Sequence, residues 1–269
     1  MLTVNDVIHG DKFAAMCDFG IFDNMEPQSI PKNKDIKLVF CKQDRVDRFF
    51  SYIAEYGKDI ILVTHNADTN IGNEHITNLP GNVVHWFAQN VVVSHERITP
   101  IPIGLERPGV GKSSDYAAVF WARETRKVAK PRKRFLLSIN PNTNPSLRIP
   151  LLQRLLELRN VTIINGLSFE DYLSEVADHE FVISPPGNGY DCHRTWEALY
   201  VGARPVVWEA HSGVARKYFG YLPVVEISTI NDLLYLIGSG SFTRDFNFTP
   251  LLDQQPHCPI LGDLIVEKI

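Results

Sequence analysis

Short runs of Val, Ile, Leu and Phe alternate along this chain with longer stretches of helical period, and that alternation constrains the fold more than any other feature. Strand, crossover helix and next strand make the unit of a parallel sheet, whose strands are covered on both faces and so read as continuous apolar runs. In the first half, strands are predicted at 12–17 (KFAAMC), 36–41 (IKLVFC), 59–64 (DIILVT), 82–86 (NVVHW) and 99–103 (TPIPI). Between the second and third, Val46, Phe49, Phe50 and Ile53 recur at steps of three and four, the buried stripe of a helix over Arg45–Tyr56.

The second half repeats the rhythm. Strands are predicted at 134–139, 161–164, 180–184, 204–208 and 223–226, with helices at 146–158, 168–177, 191–201, 212–218 and 230–237. Ser168 and Asp171 have the spacing of a capping pair. The expected organisation is a Rossmann-like domain over 1–110, a basic crossover over 111–133, a second Rossmann-like domain over 134–241, and a tail over 242–269 that packs back on the first domain. The crossover carries Arg123, Arg126, Lys127, Lys130, Arg132 and Lys133, read as a solvated helix face, with an anionic partner as the less favoured alternative.

Composition narrows the functions. Lys plus Arg number 27 against 31 for Asp plus Glu, a formal charge of −4, so no global field favours nucleic acid. The cysteines, Cys17, Cys41, Cys192 and Cys258, lack C-x-x-C spacing and are expected to be free thiols in a reducing compartment, hence in a cytoplasmic protein. No apolar run approaches the ~20 residues of a membrane-spanning helix. Peripheral association with a membrane and an anchored parent protein are both compatible with this.

Two motifs are decoys. Gly111-Lys112-Ser113 ends like a P-loop, but Glu106 stands where that pattern needs its first glycine, and Pro108 removes a backbone donor. His65, His75, His85 and His95 fall ten apart, a spacing that matches neither helix nor strand period. The chain also has no Asp-x-Asp, the usual carboxylate clamp for a divalent ion on a diphosphate, so no metal and no resident cofactor are expected.

The informative segment is FVISPPGNGYDCHRTWEALYVGARPVV, 181–207. A buried strand enters a turn built from Pro186, Gly187, Asn188 and Gly189, where missing Cβ atoms let backbone approach a ligand. A helix predicted to start at Asp191 then points its free N–H groups and dipole at the turn, which favours an anion. On that helix Asp191, Arg194 and Glu197 recur at steps of three and fan over one sector. Arg194 suits a diphosphate, and Glu197 suits the vicinal hydroxyls of a ribose. An i, i+3 surface ion pair beside an ordinary turn is the competing explanation.

From Ser184 through Pro186, Gly187, Arg194, Glu197, Ala198, Leu199, Gly202, Pro205 and Val206 the segment resembles the nucleotide-sugar-binding signature of exostosin-like glycosyltransferases of family 47, and is similar there to other GT-B enzymes. The resemblance implies a GT-B fold, two Rossmann-like α/β domains facing a central cleft. It implies inverting transfer of a sugar from a nucleoside diphosphate sugar, UDP-linked by expectation, to a glycan or glycoprotein hydroxyl, with Arg194 and Glu197 on the donor diphosphate and ribose. A fucosyltransferase-like GT-B enzyme using a GDP-sugar, and a non-catalytic nucleotide- or glycan-binding module, are the alternatives.

Further site residues follow from strand ends. Asn140, Thr143 and Arg148, after the strand at 134–139, are candidates for the donor site, with a plain Asx-type turn as the other explanation. His65 and Asp68, after the strand at 59–64, are the favoured base, with Asp18 and Asp44 as rivals. Asp18, Asp44 and Trp86 are the candidate acceptor-side residues, although a strand aromatic is more often core, and Gly104 and Glu106 lie near the domain junction.

Overall fold

The computed structural model describes residues 7–110, 115–129, 131–209, 219–220 and 222–239. It is an α/β protein with two five-stranded, wholly parallel sheets. The chain divides into two compact units. One holds 8–103 together with Gly189–Asp191, and the other holds 104–188 and continues from Cys192.

In the first unit the order is α1 (Gly10–Ala15), β1 (Phe19–Ile21), β2 (Leu38–Lys42), α2 (Val46–Ile53), β3 (Ile60–His65), α3 (Asn73–Thr77), β4 (Val83–Ala88) and β5 (Ile98–Pro100). The strands lie side by side in sequence order, β1-β2-β3-β4-β5. A sheet that grows in one direction through right-handed crossovers places its connections on one face. There α2 buries the predicted stripe, Val46, Phe49, Phe50 and Ile53, and Phe50 meets Trp86 edge-on at 5.2 Å. On the other face α1 sets Phe13 against Leu38, Phe40, Ile61, Val63, Phe87 and Ile101.

The segment KFAAMC, expected as a strand, is therefore mostly helix α1, and the first strand is the three-residue Phe19–Ile21. Ala14 and Ala15 favour a helix, and Phe13 supplies the single anchor that so short an element needs.

The second unit contains α4 (Tyr116–Val128), β6 (Lys133–Ser138), α5 (Pro145–Leu155), β7 (Val161–Ile164), α6 (Phe169–Asp178), β8 (His179–Ser184), α7 (His193–Val201), β9 (Arg204–Trp208), β10 (Val225–Ile227) and α8 (Ile230–Ser239). The Ser168 cap is present, its hydroxyl accepting from the Asp171 amide at 3.1 Å. The helix predicted at 212–218 and the tail over 242–269 lie outside the described residues.

Strand order here is β7-β6-β8-β9-β10, so the sheet grows one way from β6 and then the other. Leu151 and Leu155 of α5 share a core with Leu233 and Ile237 of α8 over Phe135, Leu137, Phe181 and Ile183. Helices α6 and α7 pack with α4. A doubly wound order of this kind has a topological switch point, and ligands of such sheets bind outside the carboxyl ends of the strands that flank it. The flanking strands are β6 and β8.

The expected solvated basic face is divided: Arg132 and Lys133 are exposed and pair with Asp178 and Glu175, whereas Arg123 and Arg126 turn inward. Arg126 on α4 donates from Nε to Gly202 O at 2.9 Å and from Nη1 to Ala177 O at 2.8 Å and His179 O at 2.6 Å. Arg123 reaches Tyr200 O at 3.1 Å. Both guanidiniums thus serve carbonyls at the ends of α6 and α7 that have no partner within their own helices. Burial lowers the Arg126 pKa to about 10, still well above neutrality. Arg126→Ala is expected to destabilise the protein by about 3 kcal/mol, because buried carbonyls lose a charged donor. Arg126→Lys recovers little of this, since an ammonium cannot reproduce the fork, and urea unfolding of the three proteins measures the difference.

His179, wholly buried at the start of β8, donates from Nδ1 to Glu175 O at 2.6 Å and leaves Nε2 without a partner among the described residues. Burial holds its pKa below the usual imidazole value. The unfolded chain then binds a proton that the native state refuses, so stability is intact above about pH 6.5 and falls as pH drops below it. Thermal unfolding from about pH 7.5 to pH 5 should show this loss, and His179→Gln should reduce its slope.

No helix among the described residues is long and apolar enough to cross a membrane. Cys17, Cys41 and Cys192 are in no disulfide, and burial pushes the thiol pKa of the first two up to about 12.

Candidate functional site

At the carboxyl ends of β6 and β8 the chain enters two loops, 139–144 and 185–188, and Arg148 of α5 ties them together. Its Nε donates to Pro186 O at 2.9 Å, Nη1 to Asn140 O at 3.0 Å and to Thr143 Oγ1, and Nη2 to Pro185 O at 2.8 Å and toward Cys192 Sγ at 3.8 Å. All five guanidinium donors are occupied, and the residue is buried. Arg148 is thus the staple of the loops, and contact with a diphosphate would require these bonds to break. Asn140 receives the Asn142 amide at 3.0 Å, and Thr143 donates to Asn140 O at 3.0 Å, the local turn that competed with a donor-site role.

The turn glycines have a different purpose from the one expected. Neither has a positive φ. A Cβ at Gly187 would lie 2.9 Å from Arg148 Nη2, and one at Gly189 would lie 2.8 Å from Asn90 Cγ. They make room for protein side chains. Pro186 supplies a carbonyl to Arg148, Asn188 is exposed, and Ser184 is buried with its hydroxyl 2.8 Å from that of Thr195, which ties α7 to β8.

Helix α7 begins at His193, not at Asp191, and its N-cap Cys192 makes no side-chain capping bond. Asp191 belongs to the other unit, where its amide donates to Asn90 Oδ1 at 2.9 Å and its carboxylate accepts from the Ile103 amide at 2.8 Å. It leaves the predicted sector, which reduces to Arg194 and Glu197.

These two differ sharply from Arg148. Arg194 is half-buried and makes no hydrogen bond among the described residues, and its Nε is buried without a partner. Glu197 is buried; burial raises its carboxyl pKa, opposed by the nearby charges of Arg194 and His193. The Tyr172 hydroxyl of α6 faces Glu197 without reaching hydrogen-bond geometry, and burial, then the carboxylate, raise the phenol well above its usual value. An uncommitted guanidinium beside a buried carboxyl can accept a phosphate and a hydroxyl-rich ring together. His193, not singled out from the sequence, donates from Nδ1 to Gly104 O at 2.8 Å and sets Nε2 3.9 Å from Glu106 Oε1.

In the first unit the carboxyl ends of β2, β3 and β4 carry a carboxamide network. Trp86 Nε1 donates to Thr64 Oγ1, which donates to Gln43 Oε1, both at 2.9 Å, and Gln43 Nε2 donates to Gln89 O at 2.7 Å. Asn66 and Asn90 turn the chain in the left-handed region, at φ 64° and 53°, which Asn tolerates better than most residues. Asn70 and Asn90 receive the amides of Tyr190 and Asp191, both at 2.9 Å. A carboxamide placed directly after a strand was the available signal for Gln43, Asn66, Gln89 and Asn90.

Several expected acceptor-side roles fail on this geometry. Trp86 is wholly buried, held as core by Phe50 and Thr64, so it has no face to offer a sugar. Asp18 accepts from the amides of Lys37 and Leu38 at 3.0 and 2.9 Å, at the amino end of β2 and away from the strand carboxyl ends. Asp44 is paired with Lys42 at 3.0 Å. His65 is buried, with Nε2 donating to Pro102 O at 3.0 Å and Nδ1 accepting the Asn66 amide at 2.7 Å. Both ring nitrogens are committed, whereas Asp68 is exposed.

Among the described residues no three His, Cys, Asp or Glu side chains converge as a metal site. No protein-family model matches the chain, and no curated protein sequence matches it.

Proposed function

We propose that the chain is a GT-B-type glycosyltransferase that takes a sugar from a nucleoside diphosphate sugar, UDP-linked by preference, to a glycan hydroxyl, with inversion and without a metal ion. One observation carries the reading: beside the switch point of the second sheet, Arg194 makes no hydrogen bond among the described residues while every donor of neighbouring Arg148 is engaged. Arg194 would meet the charge that develops on the leaving diphosphate, together with the uncapped start of α7. Glu197 would accept from ribose hydroxyls. Independence from metal rests on the missing Asp-x-Asp and on this cation.

The acceptor hydroxyl must lose its proton as it attacks the anomeric carbon, and exposed Asp68 is the retained candidate for that base, now without His65. A module that binds the donor without transferring it is the second reading, favoured by the commitment of both His65 nitrogens. Incubation with UDP-, GDP- and ADP-sugars in chelator, with and without glycan acceptors, separates them by nucleotide release. Release supports the transferase, tight binding without release supports the module, and a strict need for a divalent ion contradicts the metal-free mechanism.

A further inference from the structure

His193 opens α7, one residue before Arg194, and is held on both sides. Gly104 O can only accept, so the 2.8 Å contact places a proton on Nδ1. Nε2 then faces the Glu106 carboxylate at 3.9 Å. With Nε2 bare, a lone pair is set against a carboxylate; with Nε2 protonated, the same approach is an ion pair. The ring and Glu106 are both partly exposed, at 32% and 25% of their side-chain surface, so ligand and solvent protons reach them. Among the described residues, Glu197 on the same helix interacts with the His193 ring, and Arg194 and Glu106 act on that same carboxyl. The Tyr116 hydroxyl of α4 donates to the Glu106 carbonyl at 2.7 Å, which fixes the backbone that carries the carboxylate.

We propose that His193 and Glu106 form a proton-loading pair for the anion site: as the diphosphate of the donor settles beside Arg194, His193 takes up one proton at Nε2 and supplies a second cation, oriented by Glu106. This rests on the donor-site reading above. It makes binding proton-linked, tightening as pH falls through the imidazole range, at a limiting slope of about tenfold per pH unit for one proton.

Calorimetric titration from about pH 5.5 to pH 8.5, in buffers of different ionisation enthalpy, counts the proton directly. UDP-glucose, GDP-mannose and ADP-glucose are the probes, with inorganic sulfate as a nucleoside-free anion, none of them titrating in that range. Wild-type protein is expected to take up protons on binding, most strongly near neutral pH and less toward both ends of the range. His193→Asn keeps a donor for Gly104 O, and His193→Gln guards against a folding defect in the first variant; both should bind without proton uptake. Glu197→Gln should bind nucleotide sugar more weakly and keep the uptake, which excludes Glu197 as its source. Glu106→Gln should move the pH dependence to lower pH. A wild-type affinity that does not vary with pH, uptake that persists in both His193 variants, or a Glu106→Gln profile that does not move would overturn the pair. Proton-linked sulfate binding with no binding of any nucleotide sugar would uphold the pair and remove the transferase reading, and no binding of any probe would remove both.

Discussion

Arg194→Ala is expected to weaken binding of a nucleoside diphosphate sugar by about 100-fold while changing stability by no more than about 1 kcal/mol. The two halves of that expectation have separate causes. Arg194 makes no hydrogen bond within the described protein, so its removal orphans no backbone group, and ordinary surface truncations cost little. Two charge-assisted bonds to a diphosphate contribute about 1.5–3 kcal/mol each, and loss of roughly 3 kcal/mol is about two decades of affinity. Glu197 also loses a nearby countercharge that opposes burial, so its carboxyl pKa rises further. Calorimetry and thermal unfolding of the same variant read both quantities. A large loss of stability with unchanged affinity would reassign Arg194 to the fold.

Arg148→Ala should do the opposite. Three loop carbonyls, those of Asn140, Pro185 and Pro186, lose their charged donor, and a buried gap opens under Gly187, where the guanidinium now lies. We expect about 3–4 kcal/mol of lost stability, a fall in Tm of roughly 10 °C for a unit of this size. Lysine offers no planar fork, so Arg148→Lys should recover less than half. Nucleotide affinity falls too, but only as the loops relax. An Arg148→Ala protein with wild-type Tm and no binding would make Arg148 the ligand cation and remove the staple.

The contrast between these two arginines bears on what could be read from residues alone. Strands such as Leu38–Lys42 and His179–Ser184 are legible because nearly every residue in them is buried, and a run of that kind has few other uses. The α2 stripe is legible for a similar reason. Gly10–Ala15 is too short to display a period, and Phe19–Ile21 is too short to display a run. Arg194 and Glu197 stand three apart on one helix, so local geometry suffices to pair them. Asp191 sits in the same motif, yet its fate depends on the Ile103 amide, 88 residues away. Likewise nothing local in the charged segment before β6 shows that Arg126 will meet the ends of α6 and α7. Charge near a motif suggests a ligand when the groups that occupy it come from distant backbone, and here Arg148 and Asp191 were each taken by such partners.

In the proposed function the carboxyl end of the second sheet binds a nucleoside diphosphate sugar through Arg194. Thermal unfolding of wild-type protein and Arg194→Ala, in chelator, with and without UDP-, GDP- and ADP-sugars, tests it most directly. With ligand at about 100 times its Kd, the wild type should gain about 2.7 kcal/mol, and the variant at the same concentration should gain less than about 0.5 kcal/mol. Equal stabilisation of the two proteins, or none of the wild type by any of these sugars, would contradict it.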